Sequence, residues 1–211
     1  LTMGINAGVT NSATIGIENA AGNIGLQVVN SASYLHNNLA IKFSLPQHQV
    51  GLAKFNTPLN GFPRPVNQSF IPQVQVKNLG LDIESNFQVE LHIYQGSYSN
   101  EIGTNIQSIS SINPGQIIDL DFDEFTPTDT GTYILRAVSL LADDYIPDDT
   151  VISTFKSSIP LLGNYTVGSG GDFTTLSSAA TALQNRVVEG AVTFLLTNTS
   201  YSESPLTLTY V

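Results

Sequence analysis

Asp129-Thr130-Gly131-Thr132-Tyr133-Ile134-Leu135-Arg136-Ala137-Val138-Ser139-Leu140 is the stretch that decides how this chain is read. After Tyr133 the residues alternate in the two-residue period of a half-buried strand. Before it stands a glycine, the residue that admits a tight approach to a strand. Working outward from here, residues 66–158 give strand signals at the close spacing of an all-β sandwich. Phe70 to Val76 alternates and Asn78-Leu79-Gly80 turns. Phe87, Val89, Leu91 and Ile93 share one face, against Gln88, Glu90, His92 and Tyr94 on the other. Gln95-Gly96-Ser97 turns again, and Ile106 to Ile112 leads to Asn113-Pro114-Gly115, suited to a type II turn. Ile118, Leu120 and Phe122 oppose Asp119, Asp121 and Asp123, and a last strand runs Thr150 to Phe155.

Asp129, Gly131 and Tyr133 together resemble the tyrosine corner of immunoglobulin-like sandwiches. That resemblance implies a Tyr133 hydroxyl bonded back to backbone just upstream. Antibody-type domains carry a disulfide cysteine two residues after the tyrosine. Leu135 holds that place here, so the expected core is apolar: Val76, Leu91, Ile118, Leu120 and Leu135. The order Val-x-Val-x-Asn-x-Gly from Val74, the Pro-Gly turn, Gly-x-Tyr, then Asp143-Asp144 to Asp148-Asp149-Thr150 is similar to the bacterial immunoglobulin-like modules called CARDB.

On either side the pattern changes. In residues 1–57, Thr14–Asn19 and Ile24–Val29 read as a β-hairpin across a Gly-Asn turn, and Leu39-Ala40-Ile41-Lys42-Phe43 as a third strand. This block resembles the closing strands of β-sandwich modules in large secreted bacterial proteins. Three prolines and a glycine between Asn56 and Pro65 predict a linker over 58–65. In residues 159–211, Tyr165 to Leu176 precedes an Ala-rich stretch with Leu176, Ala179, Ala180 and Leu183 at helical spacing, capped by Thr174 or Thr175. Val192 to Leu196 then reads as a buried strand. The run Val167-Gly168-Ser169-Gly170-Gly171-Asp172-Phe173 and the helix after it resemble the entrance to a right-handed parallel β-helix of the pectate-lyase type. The expected fold class is therefore all-β: an immunoglobulin-like sandwich over 66–158 flanked by partial β-modules, the C-terminal one with a short capping helix.

Composition narrows function. The chain of 211 residues has 17 acids against 7 Lys and Arg, a net charge of −10, and only 11% charged residues. The bases stand singly, so no basic patch meets nucleic acid or anionic lipid. There is no cysteine, hence no disulfide or thiolate metal site. No apolar run approaches a membrane span and no signal-peptide pattern opens at Leu1, so the chain reads as a segment of something longer.

Candidate chemistry is sparse. Nine acids lie between Asp119 and Asp149 against Arg136 alone. Of these, Asp143, Asp144, Asp148 and Asp149 bracket a proline turn and are the calcium candidates, since Ca²⁺ takes six to eight oxygens. Asp119, Asp121 and Asp123 alternate as a solvent face. His36, His48 and His92 show no metal or triad spacing, and His92 on a polar strand face predicts a solvated ring. Gly168-Ser169-Gly170-Gly171 lacks the Gly-Lys-Ser/Thr ending of a phosphate loop. Asn67, Asn164 and Asn198 begin Asn-x-Ser/Thr triplets, and Asp149-Thr150-Val151 resembles a Bacteroidetes-type O-glycosylation sequon.

Together these resemblances imply a segment of a large secreted bacterial surface protein, of Bacteroidetes or Ignavibacteria type, similar to type IX secretion cargo. The segment itself is expected to be non-enzymatic: a spacer or adhesive unit at the cell surface, or a subunit of an extracellular filament. Its expected partners are neighbouring modules of the same or identical chains, and carbohydrate, with no nucleic acid, no membrane insertion and no cofactor. The alternative is a non-catalytic part of a secreted polysaccharide-degrading or carbohydrate-binding β-helix protein.

Overall fold

The structure is a computed structural model and describes residues 13–17, 24–28, 46–143 and 145–205. The chain divides into two compact units, Leu1–Ser44 and Leu45–Val211. In the first, β1 (Ala13–Ile17) and β2 (Ile24–Val28) pair antiparallel from Ala13 opposite Val28 to Ile17 opposite Ile24. The predicted third strand, Leu39 to Phe43, lies outside the described residues, as do His36 and Asp144.

The second unit is built on an immunoglobulin-like sandwich. One sheet has three antiparallel strands in the order β3 (Val50–Thr57), β5 (Gln73–Asn78), β8 (Ile117–Asp121). The other has five, in the order β4 (Arg64–Pro65), β10 (Thr150–Ser158), β9 (Gly131–Ser139), β6 (Glu84–Gln95), β7 (Glu101–Ile112). Strict alternation drives the packing. β5 buries Val74, Val76 and Asn78; β6 buries Phe87, Val89, Leu91 and Ile93; β9 buries Tyr133, Leu135 and Ala137. These close on Val50, Leu52, Phe55, Phe70, Phe122 and Phe155, while Ile118 and Leu120 pack against the cluster half-buried rather than at its centre. They sit on the edge strand β8, where one flank stays open to water.

Two expected boundaries move. Val50–Thr57 is no remnant of an upstream module, because it pairs with β5 and supplies Val50, Leu52 and Phe55 to the core. The proline-rich stretch 58–65, expected as a linker, carries the chain from one sheet to the other. Pro58 is buried, its carbonyl accepts the Ser153 hydroxyl at 2.8 Å, and Asn60 Oδ1 accepts both N–H and hydroxyl of Thr154. Arg64 and Pro65 then pair in parallel with Ser157 and Ser158. Prolines suit this role because an edge crossover needs few backbone donors.

Beyond the sandwich, β11 (Leu161–Val167) and β12 (Val188–Leu196) pair in parallel, joined by α1 (Leu176–Asn185). Thr175 caps the helix in a reciprocal box with Ser178. Gly168 has a φ of 142° and a Cβ there would lie 2.3 Å from Thr197 Oγ1, so this turn demands glycine. The strand expected to be buried at Val192–Leu196 is mostly open, with Leu195 and Leu196 exposed. A two-stranded sheet with one helix has cover for one face only.

Candidate functional site

The sequence candidates fall at opposite poles of the sandwich. At the C-terminal pole, Tyr133 is 1% exposed and stacks on Phe155 with ring centroids 5.1 Å apart. Its hydroxyl donates to the Asp129 carbonyl at 3.1 Å and accepts the Asp129 N–H at 3.2 Å. Gly131, at φ 138°, lets the chain turn between those groups. Leu135 is fully buried two residues on. This is the geometry of a tyrosine corner, and its chemistry is structural.

At the N-terminal pole lies the acidic loop. Asp143 Oδ2 accepts the Val50 N–H at 2.8 Å and its Oδ1 accepts the Tyr145 N–H. Asp148 Oδ1 accepts the Gln49 amide at 2.7 Å. Asp149 is buried, and its Oδ1 and Gln49 Oε1 have no hydrogen-bond partner. Burial raises the Asp149 carboxyl to about 6, with the Asp143 and Asp148 carboxylates adding to the effect. Asp148 is also raised, chiefly by burial. Three of these oxygens already accept N–H donors, which ties the loop to the start of β3. Among the described residues no three His, Asp or Glu side chains converge so as to hold a metal ion.

Nearby, His48 lies 3.0 Å from the buried Glu84 and 3.8 Å from Asp82. His92 corrects the expectation of a solvated ring. It sits between Glu101 at 2.6 Å and Glu90 at 3.4 Å, stacks on Tyr94, and is 19% exposed. The three strand acids are exposed, and each anchors a neighbouring amide: Asn56 on Asp119, Gln73 on Asp121, Asn105 and Gln107 on Asp123. A shallow depression of about 520 Å³ lies between Ser85, Asn86, Ser108 and Leu140, and no titratable side chain lines it.

Sequence reading missed three residues that hold the fold. Asn78, fully buried, donates to the carbonyls of Asp82 and Ile112 and accepts the Gly80 N–H. Glu203 accepts the N–H groups of Leu176 and Ser177 at 2.7 and 2.8 Å, capping α1 from outside the helix. Arg186 donates to the carbonyls of Ile159 and Pro160, the two residues between β10 and β11. Only the Asn-x-Gly turn signal pointed towards any of them.

These elements define an immunoglobulin-like β-sandwich module by its own strand pairings. No family model and no curated protein matches the chain. Among solved structures it is similar to the CARDB domain of a Pyrococcus furiosus protein in complex with di-metal ions, at 17% identity and a TM-score of 0.42, over 56% of this chain and 99% of that one. A domain of a protein described as a cell surface protein from Methanosarcina acetivorans is similar at 17% identity and 0.38, over 55% and 94%. A Paenibacillus cycloisomaltooligosaccharide glucanotransferase is similar at 15% identity and 0.38, over 66% of this chain and 18% of that one.

Proposed function

We propose that this chain is a spacer and interaction segment of an extracellular bacterial surface protein, with the sandwich as one bead in a tandem of β-modules. The observation that carries this reading is where the chain enters and leaves the sandwich. It enters at Gln49 and Val50, bonded to Asp148 and Asp143 beside the start of β10. It leaves at Ser158, after β10 has run nine residues to the opposite pole. Nine extended residues span about 30 Å. Entry and exit at opposite poles pass tension along the strands, as a spacer requires. The side chains with chemical potential are engaged in holding loops to strands. No described helix is long and apolar enough to cross a membrane.

The parallel β11–β12 pair favours a second reading for the C-terminal part, the first turn of a β-helix whose coils bind or cleave polysaccharide. A glycan array and a polysaccharide-degradation panel on the 211-residue chain test both. The spacer reading expects neither retention nor turnover. Turnover of any glycan by this chain would overturn it, and retention without turnover would favour the carbohydrate-binding reading.

A further inference from the structure

A sheet that ends in water exposes unpaired backbone groups, and stable proteins guard such edges with charge, proline, bulges or brevity. Three of the four sandwich edges carry those guards. β4 is two residues long and contains Pro65. β3 carries Lys54 and two register irregularities. β8 carries Asp119 and Asp121. The fourth, β7, differs. It is twelve residues long, and from Ile102 to Ile112 it has neither charge nor proline. Among the described residues no backbone-to-backbone hydrogen bond reaches its outer flank between Gly103 and Ile109, and the Asp123 N–H meets only the Asn105 side chain.

The middle of the strand is also self-complementary. The ladder to β6 keeps one register from Gly103 to Ile112, its irregularity lying between Gly103 and Glu101, and Ile106, 49% exposed, stands near the middle of β7. Laid antiparallel on a second copy about a two-fold at Ile106, the five central residues meet like with like: Ile106 on Ile106, Thr104 on Ser108, Asn105 on Gln107. Such apolar and hydroxyl pairs are those that stabilise neighbouring strands. The two-fold pairing is also the isologous form that closes a dimer. For a chain of net charge −10, an uncharged strip is where two copies meet with least repulsion. The nearest acid on this flank, Asp123, is held by the Asn105 and Gln107 amides.

We infer that β7 is a homotypic docking edge, through which a second copy of this chain adds antiparallel and joins two five-stranded sheets into one. This holds whether or not the segment serves as a spacer. Sedimentation equilibrium of the whole 211-residue chain, carried into the high micromolar range, should show a monomer–dimer equilibrium. Ile106→Lys should lower the association constant about tenfold or more while leaving the thermal melt in place. Ile152→Lys, equally exposed on the same sheet but away from this edge, should leave association unchanged. Because the chain has no cysteine, Ile106→Cys should give a disulfide-linked dimer on oxidation, and Ile152→Cys should not. A chain that stays monomeric throughout, or association that Ile106→Lys leaves untouched, would overturn the inference.

Discussion

Tyr133 serves the fold with both ends of one side chain. Its ring fills the core against Phe155, and its hydroxyl holds the backbone at Asp129, which is itself exposed. Tyr133→Phe keeps the packing and loses the bond, so urea unfolding should report a loss of about 1 kcal/mol. A larger loss would mean the hydroxyl supports more than this turn. Asp149 poses the opposite case, a carboxyl whose folded environment opposes its charge. Its pKa lies above the unfolded value of 3.8, so the native state binds the proton more tightly than the unfolded chain. Stability should therefore rise as pH falls from above about 6 towards 3.8, and the deficit is complete above 6. Solvent screening keeps that deficit modest. Asp149→Asn should stabilise the protein at pH 7.5 and flatten most of that slope, Asp148 retaining a share. A melt at pH 7.5 no higher than wild type would show that the carboxyl reaches water.

At the scale of elements, α1 is a ten-residue helix, too short to persist without caps or packing. Its N-terminal donors are divided between Thr175, three residues from Ser178, and Glu203, from beyond β12. A carboxylate at a helix N-terminus also meets the positive end of the helix dipole. Glu203→Ala should cost about 1 kcal/mol and speed amide exchange at Leu176 and Ser177. Unchanged exchange there would show that the cap is not made in solution. The local box was half legible, since Thr174 and Thr175 were both candidate caps and Thr175 takes the place. Glu203 was not legible, because a cap from 27 residues away leaves no spacing to read.

On the scale of the whole molecule, the joint after the sandwich is the telling feature. Two residues, Ile159 and Pro160, connect β10 to β11, and Arg186 binds both carbonyls. Such a short, clamped joint gives the β11–α1–β12 part a set orientation to the sandwich. Arg186→Gln should loosen it, seen as divergent alignment tensors from residual dipolar couplings in the two parts. Tensors that stay equal would place the stiffness in Pro160 instead.

The sandwich strands from β5 to β10, the helix at 176–185 and the tyrosine corner were legible in residue order, because alternation, helical spacing and a turn glycine are local properties of the chain. The sequence by itself also determined that the chain carries a strong net negative charge and no cysteine. What only the tertiary structure decided is which strands meet. It placed Val50–Thr57 in the sandwich, turned a proline-rich stretch into a sheet crossover, and put Asp149 out of water. It also left β7 at an unguarded edge. These depend on pairing between residues distant in sequence, and hydrophobic period alone says that a strand has a buried face without saying which neighbour buries it.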